Sequence, residues 1–176
     1  AVYLFGVTLA RTLPWEKKIL REDDQSWDNG RRFVDSCGGD FSSDTGTLES
    51  PGFPGFYPNN LYCFWTIKSE DGTPLTIEFT DLDVEFQRNC VYDYVMICDG
   101  PYVTSPPLAN GKLCGNFKLL GFDHYNPPKF NTTGDEASIV FRSDYMNPKK
   151  GFRLKWTSIG KYMISIYLHS SLFNYQ

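Results

Sequence analysis

The chain lacks an apolar run of about twenty residues, which excludes a membrane-spanning helix. It also lacks a basic excess: 17 Lys and Arg stand against 21 Asp and Glu, a formal net charge of −4 over 176 residues. Phosphate backbones are held by clustered Lys and Arg, so this balance argues against nucleic acid as the partner. Histidine is scarce, and its two copies, His124 and His169, have no metal-ligand spacing, which argues against zinc. No Gly-x-Ser-x-Gly elbow, His-Glu-x-x-His pair or P-loop occurs, so the chain reads as non-catalytic. Sustained 3.6-residue periodicity is missing as well, which argues against a helical architecture. What is present suits a β-protein rich in turns: 15 Gly, 11 Pro and 16% aromatic residues. Five cysteines and one Asn-x-Thr sequon at Asn131-Thr132-Thr133 point to an oxidising, secreted or extracellular setting, with Asn131 the glycosylation candidate. The chain opens at Ala1 without a methionine and is read as a fragment or processed form, with a signal peptide out of view.

Composition divides the chain in three. Residues 1–32 begin apolar and continue dense in both signs of charge, the pattern of an N-terminal extension or linker. Residues 33–160 carry the domain. Residues 161–176, with one Lys and no acid, form a C-terminal tail too short to cross a bilayer. Within the domain, Ser50 to Asn60 holds three prolines and two glycines, which excludes a helix or a central strand there. Cys63, Trp65 and Ile67 then alternate inward. Asp71-Gly72 reads as a hairpin turn, and Leu75, Ile77 and Phe79 alternate after it. Residues 102–136 read mostly as loop. Ser138 to Ser143 and Phe152 to Trp156 complete a set of short strands between turn clusters, which argues for a β-sandwich or barrel.

The stretch Asp81 to Gly100 carries the most chemistry. Leu82, Val84 and Phe86 share one face of an alternating segment, and Asp81, Asp83 and Glu85 share the other. Farther on, Val91, Val95 and Ile97 form an apolar stripe that includes Asp93. A carboxylate on an apolar face is costly unless paired. Two readings are open: Asp93 with Glu85 belongs to a cation site, or Asp93 sits at a strand end and reaches solvent or backbone amides. An EF-hand beginning at Asp81 is excluded, because Phe86 stands where its glycine is needed and Tyr92 where its last Glu is needed.

Several landmarks then occur in order. They are Cys37-Gly38-Gly39, Ser50-Pro51-Gly52-Phe53-Pro54-x-x-Tyr57-Pro58, Cys63-x-Trp65-x-Ile67 and Cys90-x-Tyr92-Asp93-Tyr94-Val95-x-Ile97-x-Asp99-Gly100. Leu113-Cys114-Gly115, Phe141-x-Ser143-Asp144 and Gly151-Phe152 follow. From residue 37 to about 157 the chain resembles a CUB domain, an extracellular module of complement-type and astacin-type proteases, cubilin, neuropilins and spermadhesins.

The resemblance implies an all-β fold, a two-sheet, jelly-roll-like sandwich. It implies disulfides Cys37–Cys63 and Cys90–Cys114, a pairing that cysteine counting alone leaves open. Cys98 is then unpaired. Alternation places it opposite Val95 and Ile97, and a buried free thiol is favoured over an intermolecular bridge. The resemblance also implies one Ca2+ ion, held by Glu85, Asp93 and Asp144, with the Met146 carbonyl or Asn147 as further ligands and Tyr57 hydrogen-bonding the acids. Calcium takes six to eight hard oxygens, and extracellular modules hold it with a Kd of about 10⁻⁴–10⁻³ M. The implied role is non-catalytic recognition of an extracellular protein through a Lys or Arg, with Tyr57 and Tyr145 flanking the contact. The resemblance leaves two alternatives. One is a carbohydrate- or glycosaminoglycan-binding module, using the cluster Lys149, Lys150, Arg153 and Lys155. The other is an exosite domain of a secreted protease whose catalytic domain lies outside this chain.

Overall fold

The computed structural model describes residues 37–160, apart from 124 and 125. The proposed extension 1–32, the tail 161–176, His124 and His169 lie outside the described residues. The strands are β1 (Gly38–Ser42), β2 (Thr45–Glu49), β3 (Tyr62–Lys68), β4 (Leu75–Val84), β5 (Tyr94–Cys98), β6 (Pro107–Leu113), β7 (Gly115–Asn116), β8 (Lys129–Asn131), β9 (Glu136–Arg142) and β10 (Gly151–Ser158).

These strands make a two-sheet β-sandwich. One sheet has the order β1-β3-β9-β5-β6 and the other β2-β10-β4-β7, with β8 also paired to β4. Among the described strands only β1 and β3 pair in parallel; the other ladders are antiparallel. Alternate residues of β3, β4, β9 and β10 point into one core. It includes Trp65, Ile67, Ile77, Phe79, Ile139, Phe141, Phe152 and Trp156. Edge-to-face rings pack the core: Phe152 meets Phe141 of the other sheet at 5.4 Å and Phe79 of its own sheet at 5.9 Å between centroids. Gly46 is required where β2 passes under the Trp156 indole, since a Cβ there would enter the ring. Cys37 is bonded to Cys63 and Cys90 to Cys114, with Cα separations of 5.1 and 5.6 Å. Cys98 is a buried free thiol.

Four local expectations are corrected. First, Asp71-Gly72 does not close a hairpin: β3 and β4 lie in different sheets, so this turn crosses the sandwich. Asp71 accepts from the amide and hydroxyl of Thr73 and from Ser158 Oγ, and these bonds hold its carboxyl down at about 2. Second, residues 102–136 contain β6, β7 and β8. Alternation does not reveal β6, because Ala109, Asn110 and Gly111 all have positive φ and its register against β5 slips. Strands β7 and β8, of two and three residues, are too short for a period to show.

Third, the alternation assigned to Leu82–Phe86 stops early. Strand β4 ends at Val84; Glu85 turns inward at 9% exposure, while Phe86 turns outward at 55%. Fourth, Val91 precedes β5 and is 49% exposed, so it is not part of an inward stripe. Two apolar runs that looked separate, Leu75–Phe79 and Leu82–Val84, are one strand. The register against β10 shifts at Thr80, where Arg153 pairs with Asp81 and Leu154 with Phe79. One extra residue there moves the inward face from odd to even positions.

Candidate metal centre

Strand register brings four separated segments to one end of the sandwich. Arg142, at the end of β9, pairs with Tyr62 at the start of β3 and with Tyr94 at the start of β5. Asp83, near the end of β4, pairs with Gly151 at the start of β10. Glu85 follows β4, Asp93 precedes β5, Asp144 follows β9 and Tyr57 lies in the segment before β3. One carboxylate oxygen from each of Glu85, Asp93 and Asp144 lies within 4.8 Å of the others.

Tyr57 organises the group from below. Its ring is buried edge-on against Phe141 at 5.1 Å. Its hydroxyl donates to Asp93 Oδ2 at 2.7 Å and accepts the Glu85 amide at 3.0 Å. The same atom thus fixes one acid by its side chain and another by its backbone. Asp93 Oδ1 accepts the Asp144 amide at 2.6 Å. Asp144 Oδ1 accepts the Met146 amide at 2.9 Å, closing a short turn, and Asn147 Nδ2 donates to Glu85 Oε1 at 2.8 Å. Asn147 has φ 57°, a left-handed conformation that asparagine tolerates better than most residues.

The electrostatics follow from burial. Asp93 is 1% exposed. Desolvation lifts its carboxyl to about 6; the charges of Asp144 and Glu85 push the same way, while the Tyr57 hydroxyl and Asp144 amide oppose. Burial raises the Tyr57 phenol far above its ordinary range, with the Asp93 contact adding to the rise, so the hydroxyl stays a donor.

The group could hold a metal ion. Three carboxylates converge with no Lys or Arg among the hydrogen-bond partners found for them among the described residues. Glu85 Oε2 is buried and has no hydrogen-bond partner among those residues. A buried, unsatisfied carboxylate oxygen costs roughly 1–3 kcal/mol or more, and an ion ligated there removes that cost. The donors are all hard oxygens, which suit Ca2+ or Mg2+ better than Zn2+.

The family resemblance implied Glu85, Asp93, Asp144, Asn147 and Tyr57 for this centre, and their side chains lie together here. Tyr57, 1% exposed with its hydroxyl engaged, is an internal brace and not the flanking partner contact expected of it. Met146 enters through its amide. Tyr145 is 54% exposed at the rim, and its carbonyl accepts Asn59 Nδ2 at 3.0 Å. Sequence reasoning gave no role to three supporting residues. Asn59 holds the 145 carbonyl, and the Asn60 amide donates to the Asp144 carbonyl at 2.6 Å. Ser143 Oγ donates to the Pro58 carbonyl at 2.8 Å and accepts the Leu61 amide at 3.0 Å. The signal was an Asn-Asn pair directly after the proline-rich turn and a serine directly before Asp144, both readable only once the two segments are known to touch.

The basic cluster looks different in space. Arg153 is paired with Glu49 through Nε at 2.7 Å and also stacks on Phe53. Lys155 and Lys129 share Glu78, each at 3.0 Å. Strand β10 therefore presents compensated charge along this face.

Comparison with known proteins gives a consistent picture. Residues 37–156 match the family model described as CUB domain. Cubilin of Sus scrofa is 36% identical over 126 residues, which is 72% of this chain and 3% of that protein. The CUB and zona pellucida-like domain-containing protein 1 of Mus musculus is 34% identical over 126 residues, 72% of this chain and 19% of that protein. The chain thus spans a small fraction of the curated relatives it matches. The solved structure described as the MASP-1 CUB2 domain bound to Ca2+ is 30% identical with a TM-score of 0.54; the match covers 71% of this chain and 100% of that one.

Proposed function

This chain belongs to the CUB domain family, and from that premise we propose that it is a non-catalytic, calcium-dependent protein-recognition module of the extracellular space. Glu85, Asp93 and Asp144 would hold one Ca2+, with Asn147 and the Met146 carbonyl as further oxygen donors. The observation that carries the reading is Glu85 Oε2, buried without a hydrogen-bond partner inside a cluster of three acids. Calcium binding by the MASP-1 CUB2 domain, which this chain resembles at 30% identity, supports it. Two disulfides support an oxidising compartment.

When bound, the ion supplies charge compensation and cross-links segments that are distant in sequence. The chain's own residues do the rest. Tyr57 holds Asp93 ionised against its burial, and Asn147 orients Glu85. The Asp144–Asn147 turn brings Tyr145 and Met146 to the surface, where both are exposed. A Lys or Arg of a partner protein would then meet preorganised carboxylate oxygens beside the Tyr145 ring, a charge-assisted contact with little ordering left to do. For the glycosaminoglycan reading, Arg153 and Lys155 are already paired with Glu49 and Glu78, which leaves Lys149 and Lys150 to carry it.

The test is urea unfolding of the oxidised chain in calcium and in chelator. At 10 mM Ca2+ and a Kd of about 10⁻⁴–10⁻³ M, mass action gives roughly 1.4–2.7 kcal/mol of added stability, which Glu85→Gln should remove. Binding to immobilised poly-lysine should be lost in chelator and weakened by Asp144→Ala. A calcium-bound chain whose lysine binding ignores both changes would overturn the recognition role.

A further inference from the structure

The acidic end accounts for one face of the molecule; a second feature lies at the other end of β4. Asn131-Thr132-Thr133 is the only Asn-x-Ser/Thr sequence in the chain. Asn131 is the last residue of β8, a strand that pairs with β4 alone among the described strands. The short ladder fixes its orientation. Phe130 packs against the core, its ring 6.3 Å from Phe79, so Lys129 and Asn131 point outward. Asn131 is exposed, and its amide oxygen accepts the Thr76 hydroxyl at 2.9 Å, which turns Nδ2 away from the sheet. Thr132 is buried and occupied: its hydroxyl receives the Leu75 amide at 2.8 Å and donates to the Gly134 carbonyl at 2.6 Å. Thr133 is exposed and is held by its amide, which donates to Asp99 Oδ1 at 2.8 Å. Its hydroxyl, the group a sequon requires two residues after the asparagine, makes no structural bond among these contacts.

We propose that Asn131 is an N-glycosylation site whose glycan covers the free edge of β8 and leaves the acidic end open. The donor is a lipid-pyrophosphate-linked oligosaccharide of the secretory pathway. Nδ2 forms the bond to C1 of the first sugar, the C1–O bond to the pyrophosphate breaks, the pyrophosphate leaves with the electron pair, and Nδ2 gives up one proton; nothing is oxidised or reduced. An unpaired strand edge is a template for association with another chain, and a bulky, solubilising group beside it blocks that route. Asn131 pairs with Thr76, nine residues before Glu85 along β4, so the glycan would sit roughly 25–30 Å from the acids.

The full chain, secreted from eukaryotic cells with intact disulfides, should carry one oligosaccharide that peptide N-glycosidase removes, leaving an aspartate at position 131 by peptide mass. Asn131→Gln and Thr133→Ala should abolish it, and Thr133→Ser should keep it. A folded, secreted wild-type chain with no glycosidase-sensitive mass would overturn the assignment. Thr133→Ala removes only an exposed methyl and a hydroxyl unbonded among the described residues, so it reads the sequon even where Asn131→Gln fails to fold. The placement has its own test: calcium affinity should be equal before and after enzymatic removal of the glycan, and a change above about threefold, close to 0.65 kcal/mol at 1.4 kcal/mol per decade, would contradict it.

Discussion

Removing one oxygen from Tyr57 should damage both the fold and the ion site. Tyr57→Phe keeps the buried ring and its edge contact with Phe141. It deletes the hydroxyl that donates to Asp93 Oδ2 at 2.7 Å and accepts the Glu85 amide at 3.0 Å. Losing a hydrogen bond to a charged, buried acceptor costs about 1.5–3 kcal/mol, and an orphaned buried N–H costs about 1–3 kcal/mol. The two overlap, and the hydroxyl's own desolvation is relieved. The expected loss is therefore about 3 kcal/mol in calcium-free buffer. Urea unfolding reads it as a lower midpoint at unchanged slope. In an Asp93→Ala background the same change should cost less, since the acceptor is already gone, and the difference is the coupling energy. Calcium affinity at neutral pH should fall as well, because the Asp93 carboxylate loses a donor that favours its charged form. A loss below about 1 kcal/mol, or equal losses with and without Asp93, would refute the role given to this hydroxyl.

Four further outcomes follow from the structure. Calcium affinity should be flat above neutrality and about tenfold weaker at pH 5 than at pH 7, since a carboxyl that titrates at about 6 must lose its proton to ligate. For the calcium-free chain the sign reverses: the folded value lies above the unfolded one, so Asp93 stabilises the fold at acid pH. That contribution fades as pH rises through 6, read as the urea midpoint against pH. Gly46→Ala should destabilise the fold by about 1–3 kcal/mol, because the new methyl meets the Trp156 ring and overpacking carries such a cost; a neutral result would contradict the fit of β2 beneath the indole. The Cys98 thiol, buried and raised by desolvation, should resist alkylation in the native chain and react on unfolding, followed by mass spectrometry.

Much of the architecture was legible because its strands obey a period of two: Cys63, Trp65 and Ile67, or Phe152, Leu154 and Trp156, show their inward face directly. Short edge strands did not show, because two or three residues carry no period and because β6 is bent by consecutive positive-φ residues. Asp93 was legible as a costly acid in an apolar setting. Glu85 was placed on the wrong side: β4 ends one residue before it, and the chain turns it inward to meet Tyr57 and Asn147. Local pattern cannot report where a strand stops. It also cannot report that Asn59 and Ser143, 84 positions apart, tie the 58–61 segment to the 143–145 segment. The family landmarks supplied the grouping of Glu85, Asp93, Asp144 and Tyr57 and the disulfide pairing, but not these braces.

Glu85, Asp93 and Asp144 are proposed as the ligands of one ion. Calorimetric titration of calcium into the oxidised chain, beside Asp93→Ala, tests it most directly. One ion per chain with a Kd of about 10⁻⁴–10⁻³ M is expected, and no binding heat from the variant. A well-folded wild-type chain that takes up no calcium, or a variant that binds as the wild type does, would contradict it.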